Sequence, residues 1–186
     1  SSTPVAVSGL SDATSISLGG RVSCAVRAGG TVSCWGDGPG SGTSTTPADL
    51  GVTDVASVSA AAGQACWIYH DGTAACIGDN NKGQLGDGTT TDKSSPSRIM
   101  TGVRALAAGG SSSHAIKTDG SLWVWGANAS GQLGLGDTMP RTEPVRLGSA
   151  DDWLAVAFSF SMVGVCAHPN RIVKVFSGTG HSYDKW

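Results

Sequence analysis

Cysteine and histidine are the side chains here with the widest chemical reach, and their spacing limits what they can do. Cys24 and Cys34 stand ten residues apart, as do Cys66 and Cys76. Placed on two strands joined by a tight turn, each pair faces across a hairpin at disulfide distance. The competing reading is four buried free thiols in a cytosolic protein. A metal site is a poor fit, because one such pair supplies two sulfurs and no CxxC element supplies the rest. Cys166 has no mate in this register and reads as a small apolar packing residue. The histidines His70, His114, His168 and His181 form no HExxH and no paired ligand spacing. The serine-rich stretches from Gly40 to Ser44 and from Ser177 to Ser182 lack the strand and helix that strain a nucleophile elbow. Asp151-Asp152 and Gly86-Asp87-Gly88 lack the oxygen spacing of a calcium loop and read as solvated turns. Asn128-Ala129-Ser130 has the form of a glycosylation acceptor. No catalytic residue, metal site or cofactor is expected.

The elements that must position these residues come from an internal repeat. Gly78 to Asp87 reads GDNNKGQLGD and Gly126 to Leu135 reads GANASGQLGL. Around these copies four units align: Cys24 to Gly30 with Cys34-Trp35-Gly36, Cys66 to Gly72 with Cys76-Ile77-Gly78, His114 to Gly120 with Val124-Trp125-Gly126, and Val165 to Arg171 with Val175-Phe176-Ser177. Positions 24, 66, 114 and 165 recur every 42 to 51 residues or so, the period of a propeller blade. Glycine, serine and threonine interrupt every candidate amphipathic helix. The expected fold is therefore all-β, a propeller-type repeat of about four blades. The units run about 10–50, 51–100, 101–147 and 148–186 of a single domain, 1–186.

Each unit reads as strand, turn, strand. If 24 pairs with 34, the turn centres on 29 and leaves a three-residue loop whose last member, Gly30, takes the left-handed conformation of a G1 bulge. Gly72 and Gly120 fall at the same place. Arg171 replaces that glycine in the fourth unit, which predicts a strained, longer or different turn. The third unit sets His114 opposite Val124 and the fourth sets Val165 opposite Val175, so cysteines are kept or lost in pairs. Disulfides Cys24–Cys34 and Cys66–Cys76 follow, and with them a secreted, periplasmic or cell-surface location.

At 186 residues with a net charge of −2 and no lysine or arginine cluster, the chain offers no nucleic-acid groove. No stretch is long and apolar enough for a helix to span a membrane. Ser1 to Leu10 lacks the basic start and apolar run of a signal peptide, the expectation for a mature exported form.

The pattern from His114 through Asp119-Gly120, Leu122, Trp125-Gly126, Asn128 and Gly131-Gln132-Leu133-Gly134, followed by Pro144-Val145, resembles the repeat of the regulator of chromosome condensation family. The third unit matches nearly throughout, and the second differs by Ile77 in place of tryptophan. The first lacks the Gly-Gln-Leu-Gly loop, and the fourth is degenerate. The resemblance implies a seven-bladed propeller, and the cysteine pairs are similar to those of exported bacterial members. Four units fall short of seven, so the chain forms a small ring, an open arc, or a ring completed by another copy or a partner chain. An open arc leaves bare blade faces. Thr3 to Val7 matches Glu143 to Leu147, so Pro4 to Val7, within 1–9, is a candidate closing strand for the fourth unit.

Residues that recur serve the scaffold: Trp35, Ile77, Trp125 and Phe176 as packing between blades, and Asn80 and Asn128 as side-chain turns. His114 reads as a packed core residue. The two Gly-Gln-Leu-Gly loops look like phosphate loops, but no helix or lysine follows them. Function is expected where units differ. That points to a secreted or surface protein-binding or assembly module without catalysis, contacting a partner through Asn81, Lys82 and Ser130 and through His181, Tyr183 and Trp186 of the tail. Self-association, as a homo-oligomer, is the other form of the partner. Two alternatives are an inhibitor resembling the propeller-type β-lactamase inhibitory proteins and a guanine-nucleotide exchange factor. The charge and the cysteine pairs disfavour the second.

Overall fold

A computed structural model describes residues 3–39, 42–159, 162–168, 171–176 and 182–183, with side chains described as far as residue 157. Every regular element among them is a strand. The strands form four antiparallel four-stranded sheets in simple sequential order. The first holds β1 (Ala13–Gly19), β2 (Val22–Arg27), β3 (Val32–Gly38) and β4 (Gly42–Asp49). The second holds β5 (Val55–Ala61), β6 (Gln64–Tyr69), β7 (Ala74–Gly78) and β8 (Lys93–Met100). The third holds β9 (Val103–Ala108), β10 (Ser112–Lys117), β11 (Leu122–Gly126) and β12 (Arg141–Arg146). The fourth holds β13 (Ala155–Ser159), β14 (Met162–His168), β15 (Arg171–Phe176) and β16 (Ser182–Tyr183).

The sheets are blades stacked one on the next. Strand β1 packs on β5, β5 on β9, and β9 on β13, with β2, β6 and β10 joining the same seams. Among the described residues no comparable packing returns from the fourth sheet to the first, which leaves the described array open. Its core lies in the seams. Val22, Cys24 and Cys34 meet Ala65, Trp67 and Ile77 between blades one and two. Ile68, Ala74 and Val103 meet Trp125 between blades two and three, and Leu122, Val124 and Leu133 meet Trp153 between three and four.

The hairpin turns fix both the register within a blade and its junction to the next. Gly30, Gly72 and Gly120 have φ of 74°, 77° and 79°, the left-handed region that glycine enters without a Cβ penalty. Their carbonyls accept from Val55, Val103 and Trp153, the residues that open the next blade. A Cβ on Gly120 would lie 1.8 Å from the Asp151 carbonyl oxygen, so the linker to the fourth blade also needs the missing side chain. In that blade the register moves from Val165↔Val175 to His168↔Arg171 across a bulge, which shortens the connection where Arg171 replaces glycine.

Two expectations change. Residues 3–12 form no strand, and Val5 and Val7 are exposed, so Pro4 to Val7 does not close the fourth blade. The outer place in that sheet goes to β16, which pairs with Val175 and Phe176. Trp35, expected to be buried between blades, is only half-buried, whereas Ile77 and Trp125 are 4% and 0% exposed. Among the described residues no other sheet packs against that face of the first blade, whereas the second and third each have a neighbour there.

Candidate binding rim

In each blade the connections between its first and second strands and between its third and fourth emerge at one edge of the sheet, opposite the glycine hairpins. In the second and third blades the connection from third to fourth strand is long, and it carries the repeated GxNxxGQLG sequence.

The two loops share one hydrogen-bonded frame. Asn80 and Asn128 are fully buried, and their side-chain oxygens accept from the backbone amides of Leu85 (3.0 Å) and Leu133 (2.9 Å). Gln84 Oε1 accepts from Lys82 N and Gln132 Oε1 from Ser130 N, both at 2.9 Å. Two turns in series follow, Gly83 N to Asn80 O and Gly86 N to Gly83 O, repeated as Gly131 to Asn128 and Gly134 to Gly131. Leu85 and Leu133 have no exposed surface and anchor the loops in the seams. Glutamine and asparagine are thus consumed in satisfying backbone groups that the sharp bends would leave orphaned, and leucine in anchoring the loop.

What remains exposed at the tips is Asn81 and Lys82 in one loop, and Ala129 and Ser130 in the next. These residues differ between the copies. The structure therefore sets three of the expected binding residues, Asn81, Lys82 and Ser130, on solvated tips at equivalent places of adjacent blades. The backbone of Tyr183 lies in β16 against Val175, far along the chain from those tips. His181 and Trp186 lie outside the described residues.

Asp87 and Asp137, near the tips, are already engaged. Burial raises the Asp87 carboxyl, but hydrogen bonds from Thr89, Lys93 and Asn80 outweigh it and hold the group below the ordinary carboxylate range. Asp137 is lowered chiefly by the hydrogen bond from Arg141, at 2.6 Å, then by the Met139 amide. Asp79 moves the other way, raised by burial and by the Asp92 charge. Asn80 Nδ2 sits among Asp87 Oδ1, the Thr89 carbonyl and hydroxyl and the Thr91 carbonyl, at 3.0 to 3.2 Å. The oxygens of the turn around Asp87 are thus directed at an amide. Among the described residues no group of three or more metal-ligating side chains converges. Asn128 is equally committed: its Nδ2 donates to Asp137 O and Oδ1 at 2.9 Å, so the Asn-Ala-Ser sequence is closed to a glycan.

A cleft of about 340 Å³ opens between the outer strands of the second and third blades. Its charges are mixed, Arg98 and Lys117 against Asp87 and Glu143, and it is too open to enclose a small molecule. The disulfides lie away from the rim, in the seams: Cys24–Cys34 and Cys66–Cys76 are directly opposite pairs, as the register required. His114 and Val124 take the same place in the third blade. His114 is completely buried, and burial lowers its pKa to about 3, so the ring is neutral at physiological pH.

Sequence had no means of finding Ser113, whose hydroxyl donates to the Gln84 carbonyl across a seam. Its partner is 29 residues away and no local pattern marks the pair.

The model of the regulator of chromosome condensation (RCC1) repeat matches residues 71–116 and 119–183, well over half of the chain, and a second model of the same repeat matches 103–132. No curated protein matches. Among solved structures, yeast RCC1 (Prp20) bound to Kap60 superposes with a TM-score of 0.79 at 17% identity, over 96% of this chain and 48% of that one. Human WBSCR16 gives 0.71 at 20% identity, over 86% and 46%. The ectodomain of the Physcomitrella patens receptor kinase CR4 gives 0.61 at 19% identity, over 94% and 43%. The chain thus spans less than half the length of these relatives, and at such identities the likeness concerns the fold.

Proposed function

This chain belongs to the regulator of chromosome condensation repeat family, and on that premise we propose that it is a non-catalytic protein-binding or assembly module of an oxidising compartment, secreted, periplasmic or on the cell surface. The observation that carries this reading is the division of labour in the rim loops. Within the GxNxxGQLG stretch the asparagine and leucine that recur are buried in both copies and the glutamine is buried in one and half-buried in the other, whereas the exposed side chains, Asp79, Asn81 and Lys82 in one copy and Ala129 and Ser130 in the other, differ. A surface whose variation is confined to solvated tips on a braced frame suits recognition of a partner more than chemistry on a substrate.

Three further observations support it. Two hairpins are clipped by disulfides, the usual economy of proteins outside the reducing cytosol. Yeast RCC1 is seen bound to a protein, Kap60, and the CR4 match is a receptor ectodomain. The described array leaves two blade faces open that a partner chain or a second copy would bury. The tail residues His181, Tyr183 and Trp186 would add aromatic anchors.

The test is capture of partners from the medium and surface of the source organism with the intact chain, repeated with the chain ended after Ser177. Loss of the captured partner in the shortened chain assigns the contact to the tail. Full retention frees the tail of that role and leaves it to the tips. Failure of both forms to retain any protein would overturn the reading.

A further inference from the structure

The partner chemistry of one open face follows from the way the inner seams are bonded, and it rests on the assembly reading above. Across the seam between the second and third blades, Ser113 and Trp125 stand directly opposite each other on β10 and β11. Ser113 Oγ and Trp125 Nε1 both donate to the Gln84 carbonyl of the preceding blade's Gly-Gln-Leu-Gly loop, each at 2.9 Å. A Cβ on Gly126 would lie 3.2 Å from Gln84 Cα, so the loop backbone rests on that glycine. The second blade has Ala65 opposite Ile77 at these positions, neither with a side-chain donor. The blade before it has no such loop: β3 turns into β4 between Gly38 and Gly42, and Pro39 is what approaches Gly78. Donor pair and loop are present together at the seam of blades two and three and missing together at the seam of blades one and two. The dependence runs one way, since the third blade's loop precedes Gly164 and Phe176, which bring no donor.

The first blade carries the donor pair again. Ser23 is opposite Trp35, on the face that no sheet among the described residues covers. Among the described residues neither Ser23 Oγ nor Trp35 Nε1 has a hydrogen-bond partner, and only the first blade's own backbone lies near Gly36. Leu18 continues the same row as Ser23, and Ile16 lies two residues along the same face. They are 70% and 56% exposed, while their equivalents Val58 and Ala60 pack into the first seam.

We propose that the Ser23–Trp35 face docks a repeat of this family that carries a Gly-Gln-Leu-Gly loop, whose glutamine carbonyl accepts from Ser23 Oγ and Trp35 Nε1. A second copy of this chain does not meet the requirement. Its last unit continues from Phe176 as Ser-Gly-Thr-Gly-His, and its two loops already serve inner seams. The occupant is a repeat other than those within residues 1–186.

The probe is the chain extended at its N-terminus by a second copy of residues 51–100, which brings the loop, compared with an extension by residues 10–50, which lacks it. The readout is solvent exchange of the Trp35 indole N–H, identified in the spectrum with Trp35→Phe. The loop-bearing extension slows that exchange by roughly tenfold or more, and the loop-free one does not. Equal exchange in both would overturn the proposal. So would slow exchange in the unextended chain as it dimerises, which would give the face to a second copy. Ser23→Ala supplies an independent check: it leaves the melting temperature of the unextended chain unchanged and lowers that of the loop-extended chain. A fall in the unextended chain would mean the face is already filled from within and would equally overturn it. Neither readout involves Asn81, Lys82 or Ser130, so partner capture at the tips stands or fails separately.

Discussion

The side-chain amide of Asn80 donates to Asp87 Oδ1 at 3.0 Å, and through that bond one buried residue ties together both arms of the rim loop. Replacing the amide by a carboxylate in Asn80→Asp sets two acids against each other with no N–H between them. A destabilisation of about 3 kcal/mol or more is expected, the cost of a broken buried network, with Asp87 no longer held below the ordinary carboxylate range. Chemical denaturation with a carboxyl titration of both forms checks it.

The seam between the second and third blades offers a double-mutant cycle. Ser113→Ala or Trp125→Phe alone leaves the Gln84 carbonyl one donor, whereas the double variant strands it. The expected result is a coupling of about 1–2 kcal/mol beyond additivity in urea unfolding. Additive losses would show that the carbonyl finds another partner.

Mass measurement after alkylation of the unfolded, unreduced chain should show four cysteines masked and one reactive, and all five reactive after reduction. Replacing Cys24 and Cys34 together by serine should cost about 2.5–3 kcal/mol, the chain-entropy scale for so short a loop. Five reactive thiols before reduction would remove the argument for an oxidising compartment.

His114 makes stability depend on pH. Its folded pKa, about 3, lies below the ordinary 6.5, so the unfolded chain takes up the proton first. The stabilisation is complete above 6.5 and is lost as the pH falls toward the folded value, at about 1.4 kcal/mol per pH unit within that window. His114→Val, the residue found at the same place in the fourth unit, should flatten the decline above the carboxylate range. An unchanged slope in melts from pH 7 to about 5 would refute the assignment.

Blades, hairpins and cysteine pairs were legible because each is local: a glycine at a fixed offset sets the turn, the turn sets the register, and the register sets Cys24 opposite Cys34. What depends on distant chain was not legible. Whether Trp35 is buried depends on a neighbouring blade, which no spacing reveals, and Ser113 looks like any strand serine until Gln84 lies beside it. The closing strand was misplaced because Pro4 to Val7 and Pro144 to Leu147 share an apolar pattern, and pattern alone does not say which edge a strand will find. The rim was half visible: sequence separated the varying tips from the recurring frame, but only the coordinates show that Asn80 and Gln84 are bonded inward and Asn81 and Lys82 are not.

The central claim is that recognition belongs to the varying tips and stability to the recurring frame. The most direct measurement is the affinity of the captured partner for the variant carrying Asn81→Ala, Lys82→Ala and Ser130→Ala together. A loss of roughly tenfold or more is expected, with the melting temperature unchanged. Full affinity in that variant would contradict the account.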